Sequence, residues 1–235
     1  MAELLRSSKE SLELLEARSN MDAKKILEYG ERCLNARYTR VENDGDYAIE
    51  REGDTVYLLF QWSNGETDWR NNFDFPATPY NDMQIPWKCH RGFLRVWKSI
   101  ESYIESTVAD MTVKKFVIVG YSHGAAIATL AHEYVWFNRP DLRDDNLEGY
   151  GFGSPRCYWG WTIKEELKER WQNFYPIRNC QDIVTHVPPA IFGFKHVGQL
   201  ICIGKNEYAT RKHKLKCIDA HYWGNYRYSL RNYKE

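Results

Sequence analysis

The stretch Lys115-Phe116-Val117-Ile118-Val119-Gly120-Tyr121-Ser122-His123-Gly124-Ala125 decides the reading of this chain. Its first five residues are a short, largely apolar run of the kind that makes a strand buried on both faces. From Ala125 to Phe137 the pattern turns helical. Between the two, Ser122 stands at the centre of Gly-x-Ser-x-Gly. That pattern is common by chance, and the strand before it and helix after it are what give it weight. So sharp a turn holds its serine in a strained conformation, and Gly120 and Gly124 remove side chains that would collide around it. The hydroxyl then projects from the sheet edge, and the free N–H groups and positive end of the new helix face a developing oxyanion.

Working outward, the same alternation continues. Leu4, Leu5, Leu12 and Leu15, then Ile26, Leu27 and Leu34, recur at helical spacing and predict one or two helices within residues 1–37, packed on the domain. Tyr47 to Arg51 and Thr55 to Trp62 flank Glu52-Gly53-Asp54 and predict a β-hairpin. Pro76, Pro79 and Pro86 argue for a loop from Phe73 to Cys89. Phe93, Trp97, Ile100, Ile104 and Val108 trace a helical stripe. Beyond the serine, the reading is strand over Leu147 to Gly153, helix over Ile163 to Trp171, strand over Asn173 to Ile177, strand over His196 to Ile203, and helix over Asp219 to Asn232. Strands alternating with helices predict an α/β fold with a mainly parallel central sheet and helices on both faces. A length of 235 residues suits a single domain over 1–235.

Composition narrows the function. Hydrophobic residues make up 43% of the chain, too many for disorder. Lys and Arg number 32 and Asp and Glu 32, without a basic cluster on the scale a nucleic-acid footprint needs, so nucleic acid is not an expected partner. Charges recur through the first 25 residues, which lack the apolar core of a secretory signal. Nowhere does an apolar run approach the roughly 18 residues of a membrane span. The expected setting is cytoplasmic. The six cysteines are scattered without a CxxC pair, so free buried thiols are expected, with no metal site and no cofactor. Oligomeric state is not legible.

A serine nucleophile needs a general base, and the base needs an orienting acid. On a strand-turn-helix of this kind the chain order is serine, acid, histidine. Asp182 closes Asn179-Cys180-Gln181-Asp182 just past an apolar strand, where the active sites of α/β sheets assemble, whereas Asp141, Asp144 and Asp145 lie in a charged segment beside Pro140 that reads as a solvated loop. His186, His196, His213 and His221 follow. His221, at the start of the last aromatic-rich helix, is favoured over His186, which lies only four residues past the acid.

These residues resemble the class 3, fungal-type triacylglycerol lipases of the α/β-hydrolase superfamily, over about Tyr57 to Tyr226. The resemblance rests on Phe60-Gln61-Trp62-Ser63 with Asp68-Trp69, on His90-Arg91-Gly92-Phe93, on Gly120 to Ala125, on Phe152-Gly153-Ser154-Pro155-Arg156, on Asp182 to Pro189, and on Asp219-Ala220-His221-Tyr222. It implies an α/β-hydrolase fold with Ser122 as nucleophile, Asp182 as orienting acid and His221 as base. It implies an oxyanion hole from the His123 N–H and Ser63, and a lipid or small-molecule ester as substrate. Trp62, Trp69 and Tyr121 are expected at the substrate site. In such lipases the segment after Ser63 forms an amphipathic lid. Here Asn64 to Phe73 is polar apart from Trp69 and Phe73, which favours a soluble or monoacyl ester over triacylglycerol. The alternative from another class is a catalytically silent relative that binds a ligand or partner.

Overall fold

The computed structural model describes residues 22–42, 45–61, 76–80, 86–179, 181–204 and 216–233. The strands are β1 (Thr39–Val41), β2 (Gly45–Glu52), β3 (Thr55–Gln61), β4 (Ala77–Tyr80), β5 (Trp87–His90), β6 (Lys115–Tyr121), β7 (Leu147–Phe152), β8 (Tyr158–Trp159), β9 (Phe174–Asn179), β10 (Phe194–Lys195) and β11 (Ile201–Ile203). The α-helices are α1 (Ala23–Asn35), α2 (Arg91–Ala109), α3 (His123–Asn138), α4 (Glu165–Lys168), α5 (Lys216–Asp219) and α6 (Trp223–Arg231).

The main sheet runs β1-β2-β3-β6-β7-β9-β11. Its β3-to-β11 part is parallel throughout, and β1 and β2 add an antiparallel edge. Central strands of such a sheet are covered on both sides, so both alternating residue sets are apolar. Val56, Leu58 and Phe60 of β3, with Phe116 and Ile118 of β6, face one core, where Trp97 and Ile100 of α2 and Ala126 and Leu130 of α3 meet them. Leu59, Val117 and Val119 face the other, with Ile26 and Cys33 of α1 and Tyr226 and Leu230 of α6. The layered α/β arrangement is as the sequence predicts, and every side chain just named is at most 4% exposed, which stabilises by about 1.5–3 kcal/mol for each large one. The described part of the N-terminal region, α1, begins at Asp22, whose carboxylate accepts from the N–H groups of Lys24 and Lys25. It is tied to α6 by Glu31, which accepts from Arg227 and from Trp223 Nε1. The expected helix at Leu4 to Leu15 lies outside the described residues.

Four expectations about elements need correction. The Pro-rich segment expected as loop carries β4 and β5, which belong to a second sheet of order β10-β8-β5-β4. Pro79 is tolerated there because β4 is an edge strand. The helix expected over Ile163 to Trp171 is only α4 followed by a 3-10 turn at Glu169–Trp171. In the strand expected from His196, pairing with β9 starts only at Ile201. The last helix is broken between Asp219 and Trp223, and His221 stands in the break.

One charged pair is buried beneath the sheet. Glu133 of α3 is fully buried, accepts from Trp87 Nε1 at 3.1 and 3.0 Å, and is bridged by Arg170. Burial pushes its carboxyl up to about 7 against the pull of Arg170. Removing one partner of such a pair leaves a buried charge uncompensated. Arg170→Met is therefore expected to cost about 3–5 kcal/mol in urea unfolding at pH 8. Because the folded-state carboxyl titrates above its unfolded value, the loss should shrink as the pH falls towards 5, where Glu133 takes up a proton in the folded variant. Adding Glu133→Gln should recover part of it at pH 8.

Candidate active site

Ser122 links β6 to α3 with φ 56° and ψ −126°, and it is the one non-glycine residue at positive φ among the described residues. The conformation is sterically costly and persists only where neighbours impose it. Three do so. The Ser122 N–H donates to Phe152 O at the end of β7 at 2.8 Å. A Cβ on Gly124 would stand 2.2 Å from Phe60 O of β3, and one on Gly120 would stand 2.3 Å from Gly124 O. The two glycines therefore let α3 start against the sheet, and the turn carries Ser122 out at its C-terminal edge.

His221 reaches that point from the break between α5 and α6. Its Nε2 lies 2.8 Å from Ser122 Oγ and its Nδ1 lies 2.8 Å from Asp182 Oδ2. Asp182, just beyond β9, is fully buried. Its Oδ1 accepts from the Val184 N–H at 2.9 Å, and its Oδ2 accepts from the Tyr226 hydroxyl at 2.6 Å as well as facing His221. Burial and the Asp182 charge hold the Tyr226 hydroxyl well above its usual range, so it keeps the proton it donates. With Nδ1 protonated, Nε2 is free to accept the Ser122 proton, so the arrangement can turn the hydroxyl into a nucleophile.

The histidine is fixed from several sides. Tyr121 stacks on the imidazole with ring centroids 5.3 Å apart and planes 13° apart, and its hydroxyl donates to His221 O at 2.6 Å. Asn179 Nδ2 donates to Ala220 O at 2.9 Å and so pins the helix break. Gly153, at φ 60°, lies against both partners: a Cβ there would be 2.7 Å from His221 Cε1 and 3.0 Å from Asp182 Oδ2. Tyr121 was expected at the substrate site. Its ring is instead occupied by His221, Trp223 and Tyr226, so it supports the histidine.

His123 is the first residue of α3, so its N–H is among those a helix leaves without an intrahelical acceptor. Its imidazole is buried edge-on to Phe93, and burial together with nearby His90 pushes it down to about 4, so it is neutral. His90 has a structural task, since its Nδ1 accepts from the Phe93 N–H at the start of α2. Ser63, Trp62 and Trp69 lie outside the described residues. Of the rival candidates, His196 Nε2 is engaged with Thr185 O, Asp141 pairs with Arg139, and the exposed His186 ring contacts neither Ser122 nor Asp182 through a hydrogen bond. No group of three His, Cys, Asp or Glu suited to a metal occurs among the described residues. Tyr226, Asn179 and Gly153 were not singled out as site residues from sequence. A tyrosine five residues past the histidine, inside the last helix, is the kind of signal that would have found the first.

The model of the class 3 lipase family matches residues 57–192, more than half of the chain. A lipase from Rhizomucor miehei is 28% identical over 164 residues, covering 66% of this chain and 44% of that protein. A secreted mono- and diacylglycerol lipase from Fusarium solani is 29% identical over 135 residues, covering 55% of this chain and 38% of its own length. The chain thus spans less than half the length of these curated relatives. Among solved structures, that of Rhizomucor miehei triacylglyceride lipase superposes with a TM-score of 0.61 at 25% identity, over 72% of this chain and 66% of the other. Lipase II from Rhizopus niveus gives 0.58 at 26% identity, over 69% and 63%. The family match contains Ser122 and Asp182 but stops short of His221, whose place in the site rests on geometry. With its parallel sheet, strained serine turn and matching family model, the chain belongs to the class 3 lipase family and has the α/β-hydrolase fold.

Proposed function

We propose that this protein is a serine carboxylic-ester hydrolase in which Ser122, His221 and Asp182 act as nucleophile, base and orienting acid. The continuous chain Ser122 Oγ, His221 Nε2, His221 Nδ1, Asp182 Oδ2, with both links at 2.8 Å, carries the reading. Ser122 Oγ attacks the ester carbonyl carbon as its proton passes to His221 Nε2. The oxyanion is met by the His123 N–H at the positive end of α3 and, as the family resemblance implies, by Ser63. Collapse expels the alcohol, which takes the proton from His221 Nε2 and leaves Ser122 acylated. Water, deprotonated by His221, then releases the acid and restores the serine.

An acyl ester suits the surroundings. Past Asp182 the chain exposes the apolar side chains of Ile183, Val187, Ile191 and Phe192. The polar sequence from Asn64 to Phe73 favours a monoacyl or soluble ester over triacylglycerol. The buried thiols of Cys33, Cys89 and Cys157, which form no disulfide, fit a reducing, cytoplasmic setting.

Ser122→Ala is expected to lower kcat/KM on short-chain nitrophenyl esters by about 10⁴-fold or more with unchanged unfolding. A fluorophosphonate should label the wild type at Ser122, and no labelling together with no turnover would instead support a silent binding relative. His221→Ala should lose activity where His186→Ala keeps it; the reverse pattern would overturn the choice of base. Gly153→Ala should slow labelling of Ser122 about tenfold or more, because its Cβ displaces His221 from near-attack geometry. Gly224→Ala, where a Cβ meets nothing within 4 Å, is the control with unchanged labelling.

A further inference from the structure

Beside the Asp182 turn two guanidinium groups stand without an acidic partner. Arg178 is the penultimate residue of β9 and is half-buried. Its Nε is fully buried with no hydrogen-bond partner, and no hydrogen bond or ion pair of its guanidinium is found among the described residues. Arg156 follows Gly153 out of the site, and its Nη1 donates to His186 O and Pro188 O while its N–H donates to Val187 O. These carbonyls neutralise no charge. His196 sits against the same turn, its Nε2 2.8 Å from Thr185 O. Asp182 is the nearby carboxylate, but its oxygens are already taken by Val184, His221 and Tyr226.

The surrounding groups register the imbalance. Burial and then the Arg178 charge hold Arg156 below its usual range. Burial, then Arg178 and Arg156, do the same to His186, with Asp182 pulling the other way. His196 is pushed down to about 3 by burial, with both arginines adding to the shift. The two histidines therefore add no cation near neutral pH, and the positive field belongs to the two guanidiniums. A half-buried guanidinium without a counter-charge is costly, and its planar donor fork matches an oxyanion.

We propose that Arg178, with Arg156, binds an oxyanion group, phosphate or carboxylate, beneath the 183–188 turn that carries Asp182. The ligand comes either as a free anion or as the head group of the ester; only the second source rests on the hydrolase reading. At the site, Arg178 supplies the open donors, and Arg156 adds its charge while holding the turn. Ile183 and Val187, exposed on the same turn, suit the chain of an anionic amphiphile.

The test is thermal unfolding of the full chain in inorganic phosphate, against chloride at matched ionic strength. Wild type should show a saturable rise in Tm of roughly 3–6 °C at ten times the Kd. Arg178→Met, which keeps the stem and removes the charge, should lose that rise, and without phosphate its Tm should equal or exceed that of the wild type. A wild type that responds no more to phosphate than to chloride, or an Arg178→Met that responds equally, overturns the proposal. A second arm compares esters of one acyl chain with phosphate-bearing and neutral alcohol parts. About a tenfold preference in kcat/KM for the anionic ester, lost in Arg178→Met, assigns the head group. A phosphate-dependent Tm rise without that preference supports the site with a free anion as its ligand. If neither ester is cleaved while the Tm rise persists, the hydrolase reading fails and the anion site stands.

Discussion

The strained backbone of Ser122 is the constraint on which the rest of the molecule depends. At φ 56° a serine cannot be held by its own turn alone, and the three neighbours that hold it come from β3, β7 and α3. Phe60 O stands where a side chain on Gly124 would be, so β3 and the start of α3 must lie in contact. Phe152 O takes the Ser122 N–H, so β7 must run parallel and in register with β6, as its pairing of Tyr121 with Phe152 shows. The sheet order around β6 is thus tied to the conformation of one residue. The small residues of α3, Ala125, Ala126, Ala128 and Ala131, are all fully buried and let the helix lie close enough for this contact.

What was legible in the sequence follows from how local the physics is. The β6-turn-α3 unit could be read because its strand, its glycines and its helix are contiguous, and the unbroken apolar run of β3 and β6 needs no knowledge of partners. Asp182 was legible because it ends a strand whose position in an α/β sheet is general. His221 was identified with a rival still standing, since nothing local says that the last helix breaks at Ala220. The break is imposed from elsewhere, by Asn179 on β9 holding Ala220 O and by Tyr121 holding His221 O. The strands β4 and β5 escaped for the complementary reason. Proline argues against long regular elements, but four-residue strands at or beside a sheet edge are short enough to accept it; β4 pairs with β5, and β5 is joined to the rest of its sheet by β8, far along the chain.

Aromatic content, 15% of the chain, gains a specific meaning at the site. Tyr121, Trp223 and Tyr226 form one group that carries the histidine and the aspartate together. Tyr121 gives its face to the imidazole and its hydroxyl to the His221 carbonyl. Tyr226 stands edge-on to Tyr121, stacks parallel to Trp223, and gives its hydroxyl to Asp182. Aromatic side chains suit this task because their few torsions are fixed by packing while a polar tip remains for a directed hydrogen bond. Sequence reading placed Tyr121 at the substrate site. The strained turn reverses that expectation: Ser122 points out at the edge and its predecessor ends up against the histidine.

Glu133 and Asp182 are both fully buried carboxylates, and they are satisfied in contrasting ways. Glu133 of α3 faces the Arg170 guanidinium directly, and both side chains are buried. Asp182 has no guanidinium in contact. It is satisfied by an N–H, a phenol and an imidazole, so its charge is left to act on His221. A guanidinium bonded to Asp182 would spend that charge permanently and weaken its hold on an imidazolium. The nearby Arg178 and Arg156 are consistent with this division, because they stand at the turn without bonding to Asp182.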